Sequence, residues 1–304
     1  MSLISIDQLS KDDFASLFEL ARNIEQGNYD RETAKRNILV PLFLEPSTRT
    51  RLSFETAMLR LGGQVLHVPN IKDLAVSKGE SLKDTIRVIS SFGDIIVMRT
   101  PQDPVIHFAD QYASVPIING GNGCDEHPTQ ALLDLYTIYK EKGRLEKLNI
   151  ALVGDLKHAR TIHSLLKGLS YYNVTLFLIS PKELRVPKTI RTILRERAVS
   201  FVEIQGLEEV IWELDVIYIV MLQHHRMKDP QLVKELRQTY YCVTPELLQA
   251  AKQDVTILHP LVRQDEVAPE VDALPNAAYF RQVQNGVSVR MAILCRMLNG
   301  WLSS

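Results

Sequence analysis

Between residues 43 and 51 the chain reads Phe43-Leu44-Glu45-Pro46-Ser47-Thr48-Arg49-Thr50-Arg51, an apolar run followed at once by hydroxyls and cations. The apolar part predicts a strand, and the residues after Pro46 predict the first turn of a helix. The first backbone N–H groups of a helix have no internal partner and carry partial positive charge, so they attract phosphate. Ser, Thr and Arg side chains beside them can complete the contacts to its oxygens. A plain capped helix with solvated arginines has the same local pattern, because Ser and Thr are common N-caps. Read alone, His127 before Pro128 is equally a helix-capping histidine, and Lys78 a solvated loop lysine.

Such a site needs a strand to deliver the turn and a helix to carry it away, and that alternation runs nearly from end to end. Apolar runs at 37–44, 64–68 and 94–99 predict strands, and helices are predicted at 47–61, closed by Gly62-Gly63, and at 81–92. The Gly/Asn-rich stretch 119–123 predicts a loop. Residues 128–142, with leucines and aromatics at helical spacing, predict a helix bridging two domains. A second run follows, with strands at 149–153, 174–179, 199–204, 216–220 and 255–258, helices at 159–169 and 207–213, and a C-terminal helix from about 287. The pattern is α/β, and it predicts two doubly wound domains, each around a mainly parallel sheet, joined by interdomain helices.

The length of 304 residues suits two domains of about 150, each able to bury its own core. With 45% hydrophobic and 23% charged residues, the composition is that of a globular protein and not of a disordered one. Thirty-five basic against 36 acidic residues leave a formal charge of −1, which excludes a sequence-independent grip on nucleic acid, so an anion site must be local. No apolar run approaches the roughly 20 residues that span a bilayer, and the first residues lack a signal-peptide pattern, which predicts a cytoplasmic protein without a membrane partner. Cys124, Cys242 and Cys295 are odd in number and far apart, which argues against a disulfide framework or a zinc cluster.

The 43–51 segment strongly resembles the carbamoyl phosphate signature of the aspartate and ornithine transcarbamoylases. It is joined in the family's order by Val76-Ser77-Lys78-Gly79-Glu80-Ser81-Leu82, Val97-Met98-Arg99, His127-Pro128-Thr129-Gln130, and Gly154-Asp155-Leu156-Lys157 with Arg160. The resemblance runs from about Ser5 to Leu298. It implies a carbamoyl phosphate domain of residues 1–128 and 286–304, a second-substrate domain of residues 129–285, and a homotrimer with active sites shared between subunits. The implied chemistry is attack of an amine on the carbonyl of carbamoyl phosphate through a tetrahedral oxyanion, without metal or organic cofactor.

By the same resemblance, Ser47, Thr48, Arg49 and Thr50 hold the phosphate, and Arg99 touches both phosphate and carbonyl oxygen. His127, with Thr50 and Arg99, stabilises the oxyanion. Gln130 and the backbone at Pro260 and Leu261 meet the carbamoyl nitrogen. Lys78 reaches a neighbouring subunit's site. Arg160 and Gln223, with Lys78 and Leu261, contact aspartate, and Arg226 pairs across the domains with Glu45. A regulatory chain or another pathway enzyme is a further expected partner.

Three positions depart from the aspartate pattern. Met221 stands where the family carries an arginine for the aspartate side chain, and loss of that contact is expected to cost about 2–4 kcal/mol. Leu74 replaces a serine of the Lys78 loop, and Ala75 follows it. Val262 replaces a second proline. The leading expectation is transfer to L-aspartate, giving N-carbamoyl-L-aspartate and phosphate in early pyrimidine synthesis, with a weakened aspartate grip. The alternatives are transfer to another amine in a more apolar pocket and a catalytically silent homologue acting as a structural or partner subunit. The ornithine branch is disfavoured because His259-Pro260-Leu261-Val262 occupies the place of its His-Cys-Leu-Pro stretch and its Ser-Met-Gly motif is missing.

Overall fold

In the computed structural model, which describes residues 1–68 and 79–300, the chain divides into two compact units, Met1–Leu133 with Val283–Ser304 and Asp134–Gln282. Lys78, Leu74 and Ala75 lie outside the described residues.

The first unit carries helices α1 (Lys11–Glu25), α2 (Thr48–Arg60), α3 (Leu82–Ser90) and α4 (Asp103–Tyr112). Its strands β1 (Ile38–Phe43), β2 (Gln64–Val65), β3 (Ile95–Thr100) and β4 (Ile117–Asn122) form one parallel sheet in the order β2-β1-β3-β4. Strands β1 and β3 are buried along nearly all their length, which is why 38–43 and 95–98 read as apolar runs. Val40, Leu42, Ile96 and Met98 pack there with Ile86, Ile106 and Ile117.

Helix α5 (Pro128–Lys142) begins in the first unit and ends in the second. The second unit holds strands β5 (Asn149–Val153), β6 (Thr175–Ile179), β7 (Ser200–Ile204), β8 (Val216–Ile219) and β9 (Thr256–Leu258), parallel and ordered β7-β6-β5-β8-β9. Helices α6 (Arg160–Leu169), α7 (Lys188–Glu196), α8 (Pro230–Thr239) and α9 (Pro245–Leu248) complete it, and α10 (Tyr279–Leu298) returns the chain to the first unit.

Each strand order reverses once. After β1 the chain adds β2 on one side and then β3 on the other, and after β5 it adds β6 and β7 before crossing to β8. In open α/β sheets, ligands bind beyond the carboxyl ends of the strands that flank such a reversal. Those ends are Phe43 and Thr100 in the first unit, and Val153 and Ile219 in the second. The segments that leave them carry Ser47–Thr50, Asp155–Arg160 and Met221–Gln223.

Four of the expected segments take another form. The Gly/Asn stretch 119–123 is mostly strand β4, because the buried Asn119 and Asn122 turn their amides to local partners and leave the backbone free to pair. Asn119 Nδ2 donates to Ile4 O and to Asn122 Oδ1, each at 2.8 Å, and Gly121 N–H donates to Asn119 Oδ1 at 2.8 Å. The strand at 64–68 shortens to the two residues of β2. The helix at 207–213 reduces to a single 3-10 turn, Ile211–Glu213. The C-terminal helix begins at Tyr279, where polar residues Arg281, Gln282 and Asn285 hid its start. Among the described residues, no helix is long and apolar enough to cross a membrane.

Candidate active site

The first cluster grows from the β1 to α2 turn. Ser47 is the N-cap of α2, but its side chain makes no capping hydrogen bond and the first turn contains no acidic residue. The N-cap serines Ser10 of α1 and Ser81 of α3 do cap, accepting from Asp13 N and Asp84 N at 3.1 Å. Ser47 Oγ instead accepts from Arg99 Nη1 at 3.3 Å, and Arg99 Nε donates to Glu45 Oε1 at 2.6 Å. A helix whose first turn holds no acidic residue and no side-chain cap suits its N–H ends and its dipole to an anion.

Arg99 occupies the place where the β3–β4 register slips between Met98 and Thr100. Such an irregularity re-aims a side chain at a strand end. Arg49 stays exposed on the first turn of α2, and partial desolvation by surrounding protein lowers its guanidinium from its ordinary value. The group remains a cation at neutral pH.

Thr50 and His127 are both buried, with Thr50 Oγ1 3.3 Å from His127 Nε2. Thr129 Oγ1 lies 3.5 Å from the other ring nitrogen. The turn before His127 is tied down by the buried Glu126, which accepts from Ser5 Oγ at 2.6 Å and Ile6 N at 3.0 Å. His127 O accepts the N–H groups of Gln130 and Ala131, so the histidine also starts α5. Gly120 lets β4 approach this pair, because a Cβ there would lie 3.3 Å from Met98 O and 3.5 Å from Thr50 Cγ2. The structure thus joins Glu45, Ser47 and Arg99 in one set of bonds and Thr50 with His127 in another, both at the start of α2. Hydroxyls, a guanidinium and an imidazole converging there can hold a phosphate and polarise an adjacent carbonyl.

The second unit has its own cluster at the ends of β5, β8 and β9. Arg160 is buried in the first turn of α6, whose N-cap Ala159 offers no side-chain bond. A guanidinium with planar paired donors suits a carboxylate. Asp155, fully buried after β5, accepts from Gln223 N at 3.1 Å and from His158 N at 3.0 Å. Gln223 Nε2 donates to Met221 O at 3.3 Å. Tyr240 Oη donates to Val220 O at 2.9 Å, and burial together with the charge of Asp155 pushes its phenol well above the usual range. Gly154, at φ 115°, makes room for this arrangement, since a Cβ would come within 2.5 Å of both Tyr240 Oη and Val220 O.

Beyond β9, Leu261 N–H donates to His259 Nδ1 at 2.7 Å, and His259 Nε2 lies 2.7 Å from Glu266 Oε1. Leu261 has φ 54° and its bond to Val262 is cis. Arg226 closes a 3-10 turn, His224–Arg226, with its Nε 3.3 Å from His225 Nε2. Val262 is exposed and Met221 half-buried. Asp155, Tyr240, His259 and Glu266 carried no assigned role in the sequence reading. Asp155 and His259 had a signal, their places in the Gly154-Asp155-Leu156-Lys157 and His259-Pro260-Leu261-Val262 stretches, whereas Tyr240 and Glu266 act through bonds that no local motif marks.

Comparison with known proteins gives one family over nearly the whole chain. Residues 1–140 match the model of the aspartate/ornithine carbamoyltransferase carbamoyl-P binding domain, and residues 146–297 match that of the aspartate/ornithine carbamoyltransferase Asp/Orn binding domain. The chain is 47% identical over 295 residues to the aspartate carbamoyltransferase catalytic subunit of Thermococcus gammatolerans, covering 96% of each chain. It resembles the catalytic subunit of aspartate transcarbamoylase from M. jannaschii, with a TM-score of 0.89 and 43% identity over 98% of each chain. It also resembles Trypanosoma cruzi aspartate transcarbamoylase solved with N-(phosphonacetyl)-L-aspartic acid, with a TM-score of 0.92, 39% identity, and 97% and 94% coverage of the two chains. The weakened aspartate grip expected from Met221, Leu74 and Val262 finds no support in these likenesses.

Proposed function

The chain belongs to the aspartate/ornithine carbamoyltransferase family, and from that premise we propose that it transfers the carbamoyl group of carbamoyl phosphate to the amino group of L-aspartate. The products are N-carbamoyl-L-aspartate and phosphate. Its catalytic-subunit relatives and the aspartate-analogue complex of a solved neighbour support this acceptor over ornithine.

The observation that carries the reading is the start of α2. Its serine N-cap is turned away from capping and tied to Arg99, and Thr50 of its first turn meets the buried His127. In this account the α2 N–H groups with Ser47, Thr48, Arg49 and Thr50 bind the phosphate. Arg99 bridges phosphate and carbonyl oxygen, and Glu45 fixes the guanidinium's orientation. His127 and Thr50 donate to the carbonyl oxygen as the amine attacks and negative charge develops on it, which lowers the barrier because the donors are already oriented. The carbonyl re-forms as the bond to phosphate breaks, and the departing phosphate takes the proton that the attacking amine gives up. Gln130 and the backbone of Pro260 and Leu261 hold the carbamoyl nitrogen. Arg160 takes a carboxylate of aspartate, with Gln223 beside it.

The finer expectations follow from the family likeness. The chain works as a homotrimer to which Lys78 of a neighbouring copy contributes, in the cytoplasm, and the relatives' description as catalytic subunits fits a further regulatory partner. Incubation of purified chain with carbon-labelled carbamoyl phosphate and L-aspartate, followed by separation of products, tests the reading. Labelled N-carbamoylaspartate is expected. Label on another amine but not on aspartate, or no turnover with binding intact, would replace it by one of the alternatives.

A further inference from the structure

The loop after β9 is built on an imidazole that touches no solvent to speak of. His259 is 1% exposed and its partner Glu266 2%. Two hydrogen bonds determine the proton's position on the ring. The Leu261 backbone N–H faces Nδ1 at 2.7 Å, and an amide N–H can only donate, so Nδ1 is the accepting nitrogen. The proton therefore resides on Nε2, which donates to Glu266 Oε1 at 2.7 Å, and the imidazole is neutral. The same carboxylate accepts Gln264 N–H, 3.1 Å from each oxygen.

The histidine is anchored from the other side as well. Its own N–H donates to Gln282 Oε1 at 3.0 Å, Gln282 Nε2 donates to Asp134 Oδ1 at 2.6 Å, and Tyr218 Oη of β8 donates to Asp134 Oδ2 at 2.8 Å. All of these residues are buried, so each bond forgoes competition from water. The network ends on Leu261, whose φ of 54° puts a branched side chain in the left-handed region. A bulky residue stays in that region only where its surroundings over-determine it, and such positions cluster where a precise backbone direction is used. Arg263, just beyond, is clamped to Asp272 and donates to Tyr279 Oη at 3.0 Å, so the loop is pinned on both sides of Leu261.

We propose that His259 is a positioning residue of the reaction: with its proton kept on Nε2 by Glu266, its Nδ1 fixes the Leu261 peptide so that the Leu261 carbonyl receives the carbamoyl nitrogen of the substrate. The inference rests on the transcarbamoylase reading of Leu261 given above. His259 itself meets no substrate. Its effect is on geometry, and a carbonyl misdirected by about an ångström costs on the order of 100-fold in rate.

Two substitutions separate the ring's two bonds. In His259→Asn the amide oxygen stands near Nδ1 and still accepts from Leu261 N–H, while the bond to Glu266 is lost. In His259→Gln the amide nitrogen reaches the position of Nε2 and still donates to Glu266, while the bond to Leu261 is lost. Each variant forfeits one buried hydrogen bond, so a merely structural role lowers melting temperature and activity alike in both. The expected result is a kcat lowered about 10- to 100-fold in His259→Gln and within about threefold of wild type in His259→Asn, at similar melting temperatures. Equal kcat in the two variants, whether retained or lost, overturns the proposal. Nitrogen NMR of the wild-type chain labelled at histidine provides a check that needs no variant: His259 is expected as the Nε2–H tautomer, and an Nδ1–H tautomer or an imidazolium at neutral pH overturns the proposal. A wild-type chain that fails to carbamoylate aspartate would count instead against the functional reading.

Discussion

At the start of α2 the working groups are side chains bonded to one another. Arg99 bridges Ser47 and Glu45, and Thr50 meets His127. At the ends of β5, β8 and β9 the bonds run from buried side chains to backbone, from Asp155 to Gln223 N–H, from Tyr240 to Val220 carbonyl, and from His259 to Leu261 N–H. In the first region the chemistry is carried by residue types, and in the second by the shape that hidden residues impose on the chain. The first is therefore sensitive to what a side chain is, the second to whether its backbone stays in place.

The largest expected effect falls in the first region. His127→Ala removes an oriented donor and should lower kcat about 100- to 1,000-fold, with Thr50→Val close behind, as measured by steady-state turnover. Aspartate KM should change far less in both. In the second region, Arg160→Ala should raise aspartate KM by about 100-fold and leave the affinity for carbamoyl phosphate as it was. A comparable loss of carbamoyl phosphate affinity would break the division between the regions. Asp155→Ala, which frees the Gln223 backbone without touching a ligand, should raise aspartate KM about tenfold.

The smallest effect sharpens the comparison most finely. Ser10→Ala removes a true helix cap and should cost about 1 kcal/mol of stability in denaturant unfolding at unchanged kcat. Ser47→Ala removes no cap, so it should leave stability nearly unchanged and weaken carbamoyl phosphate binding about tenfold. The reverse assignment would show that Ser47 serves the helix and not the ligand.

The same division governs what the sequence disclosed. That Ser47 and Arg99, and Thr50 and His127, belong together was legible because a motif names side chains by type and place. The parallel sheets were also legible, since strands buried on both faces, such as β1 and β5, are unbroken apolar runs. Strand β4 was hidden because Asn119 and Asn122, ordinarily turn residues, satisfy their amides inside the fold. Asp155 reaches a partner 68 residues away and Tyr240 one 20 residues away, and no local pattern announces such a bond. His259 and Glu266 are only seven residues apart, yet a solvated loop has the same letters, and burial alone turns them into a fixed tautomer.

Central to the proposed reaction is that the α2 cluster, and not Arg160, holds the phosphate of the first substrate. Calorimetric titration of carbamoyl phosphate into wild type, Arg49→Ala and Arg160→Ala tests it directly. The account predicts that Arg49→Ala weakens binding about 100-fold or more while Arg160→Ala matches wild type. Equal losses in the two variants, or normal binding in Arg49→Ala, would contradict it.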